Sequence, residues 1–79
     1  MIEHQPDRQR FVLFANGQDS VLEYKLCGNT VNFTHTFVPE SLRGKGTAKQ
    51  LVEHGLTWAR KQGYDIEADC WYVDRQLNA

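Results

Sequence analysis

Apolar residues recur along this chain with two different periods, and the change from one to the other marks the architecture. From Arg8 to Ala15 the chain is rich in Phe, Val and Leu, and Asn16-Gly17 follows, a dipeptide that tolerates the positive φ angles of a tight hairpin. Strand, turn, strand is the reading. The return strand, Val21 to Cys27, alternates, with Leu22, Tyr24 and Leu26 on one face and Glu23 and Lys25 on the other. Gly28-Asn29 supplies a second turn. A third strand runs from Thr30 to Val38 and, by strict alternation, places Val31, Phe33, His35 and Phe37 on one face. These three strands form an antiparallel meander.

Pro39 ends the third strand, since it lacks a backbone donor, and the period then becomes helical. Ala48, Leu51, Val52, Gly55, Leu56 and Ala59 form one apolar stripe, Arg60 and Lys61 sit at the negative end of the helix dipole, and Gly63 suits the C-terminal cap. Tyr64 to Tyr72 reads as a final strand, with Ile66, Ala68, Cys70 and Tyr72 on one face and Asp65, Glu67 and Asp69 on the other. The pattern predicts one α+β (α/β-like) domain over residues 1–79: the meander, then a right-handed β-α-β unit whose two strands are parallel.

Length and charge narrow the function classes. A 79-residue chain holds one hydrophobic core. A net charge of -1, from 9 basic and 10 acidic residues, makes no field that gathers nucleic acid or an anionic membrane. The chain carries no apolar run of membrane-spanning length and no signal-like start, so a cytoplasmic protein is expected, as a monomer or weak homodimer. Cys27 and Cys70 are too few and too far apart for a disulfide framework or a zinc site, and both read as free thiols; no metal site is expected. His4 and His54 carry no evident chemistry.

The chemistry concentrates between strand and helix. In a β-α-β unit the helix starts beside the carboxyl end of the first strand, and the second strand finishes at the same edge. Cys70 and the turn Arg43-Gly44-Lys45-Gly46-Thr47-Ala48 therefore share a rim, with His35 roughly 10 Å below it at ~3.3 Å per residue. Glycines let a ligand approach the backbone, and free amides at a helix start attract phosphate, so a diphosphate is the natural guest. Arg43, Lys45 and Lys49 add charge, and the Thr47 hydroxyl offers another donor. Neither a Walker loop nor a dinucleotide fingerprint is satisfied: Gly46 follows Lys45, and Lys49 stands at the last glycine position. A glycine pair that merely shapes a loop, a core-facing His35 and a small buried Cys70 are the bland alternatives.

Arg43, Gly46 and Ala48 fill the fixed positions of R/Q-x-x-G-x-G/A, and the segment resembles the pyrophosphate loop of the GNAT superfamily of N-acetyltransferases. The segments His35-Thr36-Phe37-Val38-Pro39 and Cys70-Trp71-Tyr72-Val73 resemble the H-T-x-V-P and C-x-Y/F-V motifs of a short GNAT-like subfamily, so the likeness covers Thr30 to Val73. Ala68 stands where members often carry proline. The resemblance implies a minimal GNAT fold with splayed parallel strands and coenzyme A in the gap. It places the diphosphate on Leu42 to Lys49 and the pantetheine arm along Phe37 and Val38, and it gives His35 and Cys70 roles in acetyl transfer from acetyl-CoA to an amine. Nine residues follow Cys70, so reduced walls on the acceptor side are expected. A non-catalytic acyl-CoA or CoA-binding regulatory module, or a plain interaction domain, are the alternative functions.

Overall fold

A computed structural model describes residues 2–77. Five strands form one sheet in sequence order: β1 (Ile2–Gln5), β2 (Arg10–Ala15), β3 (Gln18–Cys27), β4 (Thr30–Phe37) and β5 (Asp65–Ala68). Neighbours from β1 to β4 are antiparallel, and β4 pairs with β5 in parallel. Helix α1 (Thr47–Gln62) makes the crossover, and a second helix, α2 (Trp71–Leu77), follows β5. The mixed sheet and two helices make an α+β fold of the minimal GNAT-like kind.

Local chemistry explains the regular parts. Asn16 and Gly17 both take left-handed φ (54° and 72°), which closes the two-residue hairpin that pairs Ala15 with Gln18. Past Gln62 the Gly63 amide donates to the Arg60 carbonyl and the Tyr64 amide to that of Ala59, a Schellman cap made possible by Gly63 at φ 78°. The helix lays its predicted stripe on one face of the sheet. Leu51, Val52, Leu56 and Ala59 meet Phe11, Leu13, Leu22, Tyr24, Val31 and Phe33 in a single buried cluster. Gly55 sets the spacing of the two layers, because a Cβ there would stand 2.8 Å from Leu22 Cδ2 and 3.0 Å from Phe33 Cε1.

Three features depart from the periodic reading. The polar start contains a strand: β1 pairs Ile2 with Leu13 and His4 with Phe11, so it extends the meander to four strands and turns His4 inward. The third strand does not alternate strictly. Glu23 pairs with His35 but Tyr24 with Phe33, so Thr34 is an extra residue and the strand bulges there. Partners across an antiparallel pair share a face. Beyond the bulge Thr36 therefore lies opposite Leu22 on the helix side, while His35 and Phe37, opposite Glu23 and Val21, move to the other face. His35 is accordingly exposed rather than a core residue beside Val31 and Phe33.

The last strand is also shorter than its alternation implies. It ends at Ala68, not Tyr72, because the Asn32 side chain brackets Asp69: Asn32 Oδ1 accepts from the Asp69 amide and Asn32 Nδ2 donates to its carboxylate, each at 3.0 Å. The Cys70 amide then donates to the Phe33 carbonyl, and the Cys70 carbonyl accepts from the Asp74 amide, so Cys70 caps α2. Val73 and Leu77, one helical turn apart, both pack on the core, and Val73 is fully buried. The packing of that pair outweighs the β-propensity of the Tyr64 to Tyr72 stretch.

Candidate active site

Beyond Pro39 the chain makes one 3-10 turn (Glu40–Leu42), anchored by buried Leu42 and by a hydrogen bond between the Ser41 hydroxyl and the Gln18 side chain. Arg43 follows in extended conformation, with its Nε donating to the Val38 carbonyl at 3.0 Å, which ties the turn to the end of β4. Gly44 and Gly46 then adopt φ of 78° and 77°, angles that L side chains avoid. A Cβ at either would meet nothing within 4 Å, so conformation rather than crowding selects glycine there.

Gly46 is the N-cap of α1 and offers no side chain to satisfy the helix start; the first helical bond runs from the Gln50 amide to the Gly46 carbonyl. The amides of Thr47, Ala48 and Lys49 thus belong to the open first turn, where the positive end of the dipole favours an anion. A hollow of about 210 Å³ faces this turn, lined by the predicted residues Val38, Leu42, Arg43, Gly44, Gly46, Thr47, Ala48 and Lys49 and by Tyr72. Lys45 is exposed and outside the lining, and Lys49 pairs loosely with Glu53 at 4.0 Å. The Thr47 hydroxyl, expected to face a ligand, is buried and donates to the Leu42 carbonyl at 3.4 Å, because the first helical residue points its side chain back under the turn. Its structural work is to close the turn.

A second hollow, about 420 Å³, continues from the first through the shared residues Val38, Arg43, Ala48 and Tyr72. It brings together His35, Thr36, Phe37, Cys70 and Trp71. The opening arises from strand lengths: β5 stops where Ala68 meets Phe33, while β4 runs on with β3 to Phe37. Past Phe33 the two parallel strands part, and the lining of the slot draws on both faces of the sheet, Ala48 from the helix side and His35 from the other.

Cys70 stands among polar groups in the slot. Burial raises its thiol pKa, but the Thr36 hydroxyl at 3.5 Å and the backbone amides of Val73, Tyr72 and Thr36 stabilise the sulfur anion, and the net effect is below the ordinary thiol value. Two of those amides belong to α2, so the helix that displaced the predicted strand also prepares the sulfur. Asp69, the carboxylate next in sequence, is turned to Asn32. Among the described residues the sulfur is held by Thr36 and α2 rather than by His35, which lines the same slot from the far face. Thr36 and Tyr72 are site members beyond the expected set: the bulge hid Thr36, and alternation set Tyr72 on the Cys70 face without giving it a role. Their presence in the H-T-x-V-P and C-x-Y/F-V motifs was the available signal.

Comparison with known proteins gives the family. Residues 10–79 match the family described as GCN5-related N-acetyl-transferase. Protein NATD1 of Xenopus tropicalis is 32% identical over 79 residues, covering 96% of this chain and 72% of the relative. Protein NATD1 of Gallus gallus has the same identity and coverage, and that of Homo sapiens is 32% identical with 70% of its length covered.

Proposed function

From the premise that this chain belongs to the GCN5-related N-acetyltransferase family, we propose that it transfers the acetyl group of acetyl-CoA to an amine acceptor. The observation that carries the reading is the continuity of the two hollows: a helix start with open amides at one end, a strand gap in the middle, and at the other a slot lined by the Cys70 thiol and, from the far face, by the exposed His35 imidazole. Amides of the Gly44 to Ala48 turn hold the diphosphate, with Arg43 and Lys49 contributing charge. The backbone of Phe37 and Val38, at and just past the end of β4 where β5 does not cover it, aligns the pantetheine arm.

Two routes use the residues at the far end. In the first, the acceptor amine attacks the thioester carbonyl, the carbon–sulfur bond to the coenzyme breaks, and His35 or a water it holds takes the proton from nitrogen. In the second, the Cys70 thiolate attacks the thioester carbonyl and CoA leaves as its thiolate; the amine then attacks the acetyl-cysteine thioester, its carbon–sulfur bond breaks to regenerate the Cys70 thiolate, and the amine proton passes to His35 or water. The Thr36 hydroxyl and the backbone amides around the Cys70 sulfur, which favour its anion, support the second route. Acetyl-CoA supplies the activated acyl group in both.

An amide-shift NMR titration with acetyl-CoA tests the binding half. Shifts centred on Gly44 to Ala48 and on Phe37 and Val38 are expected, and a silent spectrum at millimolar ligand would remove the proposal. Intact-mass spectrometry in the same tube tests the chemistry: a 42-Da adduct lost in Cys70→Ala supports the covalent route, on the order expected for one acetyl group. Full amine acetylation by Cys70→Ala would leave direct attack. Binding without turnover on any amine would make the chain a CoA-binding module.

A further inference from the structure

A hollow of about 530 Å³, larger than either of the two that form the proposed coenzyme groove, lies apart from them. It lies at the opposite end of α1, around Trp58, eleven residues or ~16 Å along the helix from Thr47. Three elements that the periodic reading passed over build it. Strand β1 brings in His4, whose Nε2 lies 2.6 Å from the Tyr24 hydroxyl and whose ring is stacked on buried Phe11 at 4.2 Å. The 3-10 turn Pro6–Arg8 supplies Asp7. Gln9, at a left-handed φ of 50°, covers the part of β3 that β2 does not reach: its carbonyl accepts from the Tyr24 amide at 2.9 Å and its Oε1 from the Leu26 amide at 2.7 Å.

The walls are aromatic and set at angles to one another. Trp58 stands 5.0 Å from Tyr24, 5.4 Å from Tyr64 and 4.8 Å from His4, with ring planes inclined by 41°, 59° and 67°. Tyr24 is only 5% exposed and belongs to the core behind them, so the half-buried Trp58 and Tyr64 rings are the π surface open to the hollow, a surface that attracts an organic cation. The electrostatics point the same way. Asp7 is the lining carboxylate and no lysine or arginine lines the hollow among the described residues; Arg60 and Lys61 in the last turn of α1 offset the negative pole of the helix, so Asp7 is the charge that faces a ligand. Burial, with a smaller contribution from His54, lowers the His4 pKa, so near neutral pH the imidazole wall adds no opposing charge.

We propose that the hollow between the Pro6–Gln9 turn and the C-terminal end of α1 is a second binding site, which takes an alkylated ammonium group against Trp58 and Tyr64 with Asp7 as counter-ion. A methylated ammonium suits it better than a primary amine, because the aromatic faces present few acceptors to satisfy N–H donors. The site is separate from the acetyl-transfer groove and stands whether or not the chain turns over acetyl-CoA.

Three probes test it against the free protein by NMR: choline, a trimethyllysine amide, and 3,3-dimethylbutan-1-ol, the uncharged counterpart of choline. A trimethylammonium probe should shift the Trp58 indole N–H and the Gln62 and Tyr64 amides with Kd on the order of millimolar, leaving the Trp71 indole and the Gly44 to Ala48 amides in place. The uncharged alcohol should bind about two- to fivefold more weakly, and Asp7→Asn should weaken choline while leaving the alcohol unchanged. The tighter of the two cations indicates whether the group arrives on a small molecule or on a protein side chain. Trp58→Leu should abolish the response; if it loses amide dispersion, Tyr64→Leu at the helix end serves instead. Equal binding of choline and the alcohol, shifts confined to the glycine turn, or no response to either cation at about 50 mM would overturn the proposal.

Discussion

The environment of Cys70 can be tested with one methyl-for-hydroxyl exchange. Thr36→Val keeps the β-branched shape that suits β4 and leaves the residue-36 amide where it is, but removes the hydroxyl 3.5 Å from Cys70 Sγ. A hydrogen bond to a charged group contributes about 1.5–3 kcal/mol at good geometry. This contact is long and the sulfur only half-buried, so about 0.8 kcal/mol, near half the lower figure, is the appropriate magnitude. That corresponds to a roughly fourfold smaller thiolate fraction wherever the thiol is mostly protonated, and to a higher titration midpoint. The assay is iodoacetamide alkylation as a function of pH in a Cys27→Ser background, since Cys27 is exposed and would react as well. The midpoint is the proper readout, because a thiolate of higher pKa is also more nucleophilic and the rate at one pH falls by less than its fraction. An unmoved or lowered midpoint would show that the Thr36 hydroxyl contributes nothing and that the backbone amides alone hold the anion.

Gly55→Ala should destabilise the fold by about 1–3 kcal/mol, seen in urea unfolding, since the new methyl meets Leu22 and Phe33 inside contact distance; unchanged stability would mean that α1 can lift from the sheet without loss. Gly46→Ala should lower stability by about 1–2 kcal/mol through its left-handed φ, with open space around the new methyl, and should weaken acetyl-CoA binding in the folded fraction; full affinity would move the diphosphate away from this turn. His4 has a folded pKa below the ordinary 6.5, so the unfolded chain binds its proton first as pH falls. The His4 contribution to stability should therefore be complete above pH 6.5 and decline below it until the lowered folded value is passed, a slope that thermal melts should find absent in His4→Asn.

The elements whose cause is local were legible in the chain. Asn16-Gly17 specifies a hairpin because both residues accept positive φ, and the stripe from Leu51 to Ala59 specifies the buried side of α1 because its spacing matches the helical repeat. The glycine turn was legible for the same reason: Gly44 and Gly46 announce a backbone that few other residues adopt, at the start of a helix. What alternation misplaced was His35. Its exposure follows from one extra residue at Thr34, and a bulge is a property of two strands in register, Glu23 against His35 and Tyr24 against Phe33, not of either strand alone.

The amino-acid sequence by itself determined the order of the main strands and the long helix, the glycine turn between β4 and α1, and the family motifs that surround it, since all of these rest on contacts a few residues apart. Tertiary structure decided which side chains meet. Asn32 halts β5 by binding Asp69, 37 positions away, and Val73 folds back onto the core as part of a helix, so Cys70 becomes a capped sulfur beside Thr36 instead of a strand residue. Polar β1 is held as a strand by pairing with β2, and through it His4 reaches Tyr24 and Trp58. Each of these outcomes depends on hydrogen bonds and packing between segments distant in sequence, whose free energy no local period records.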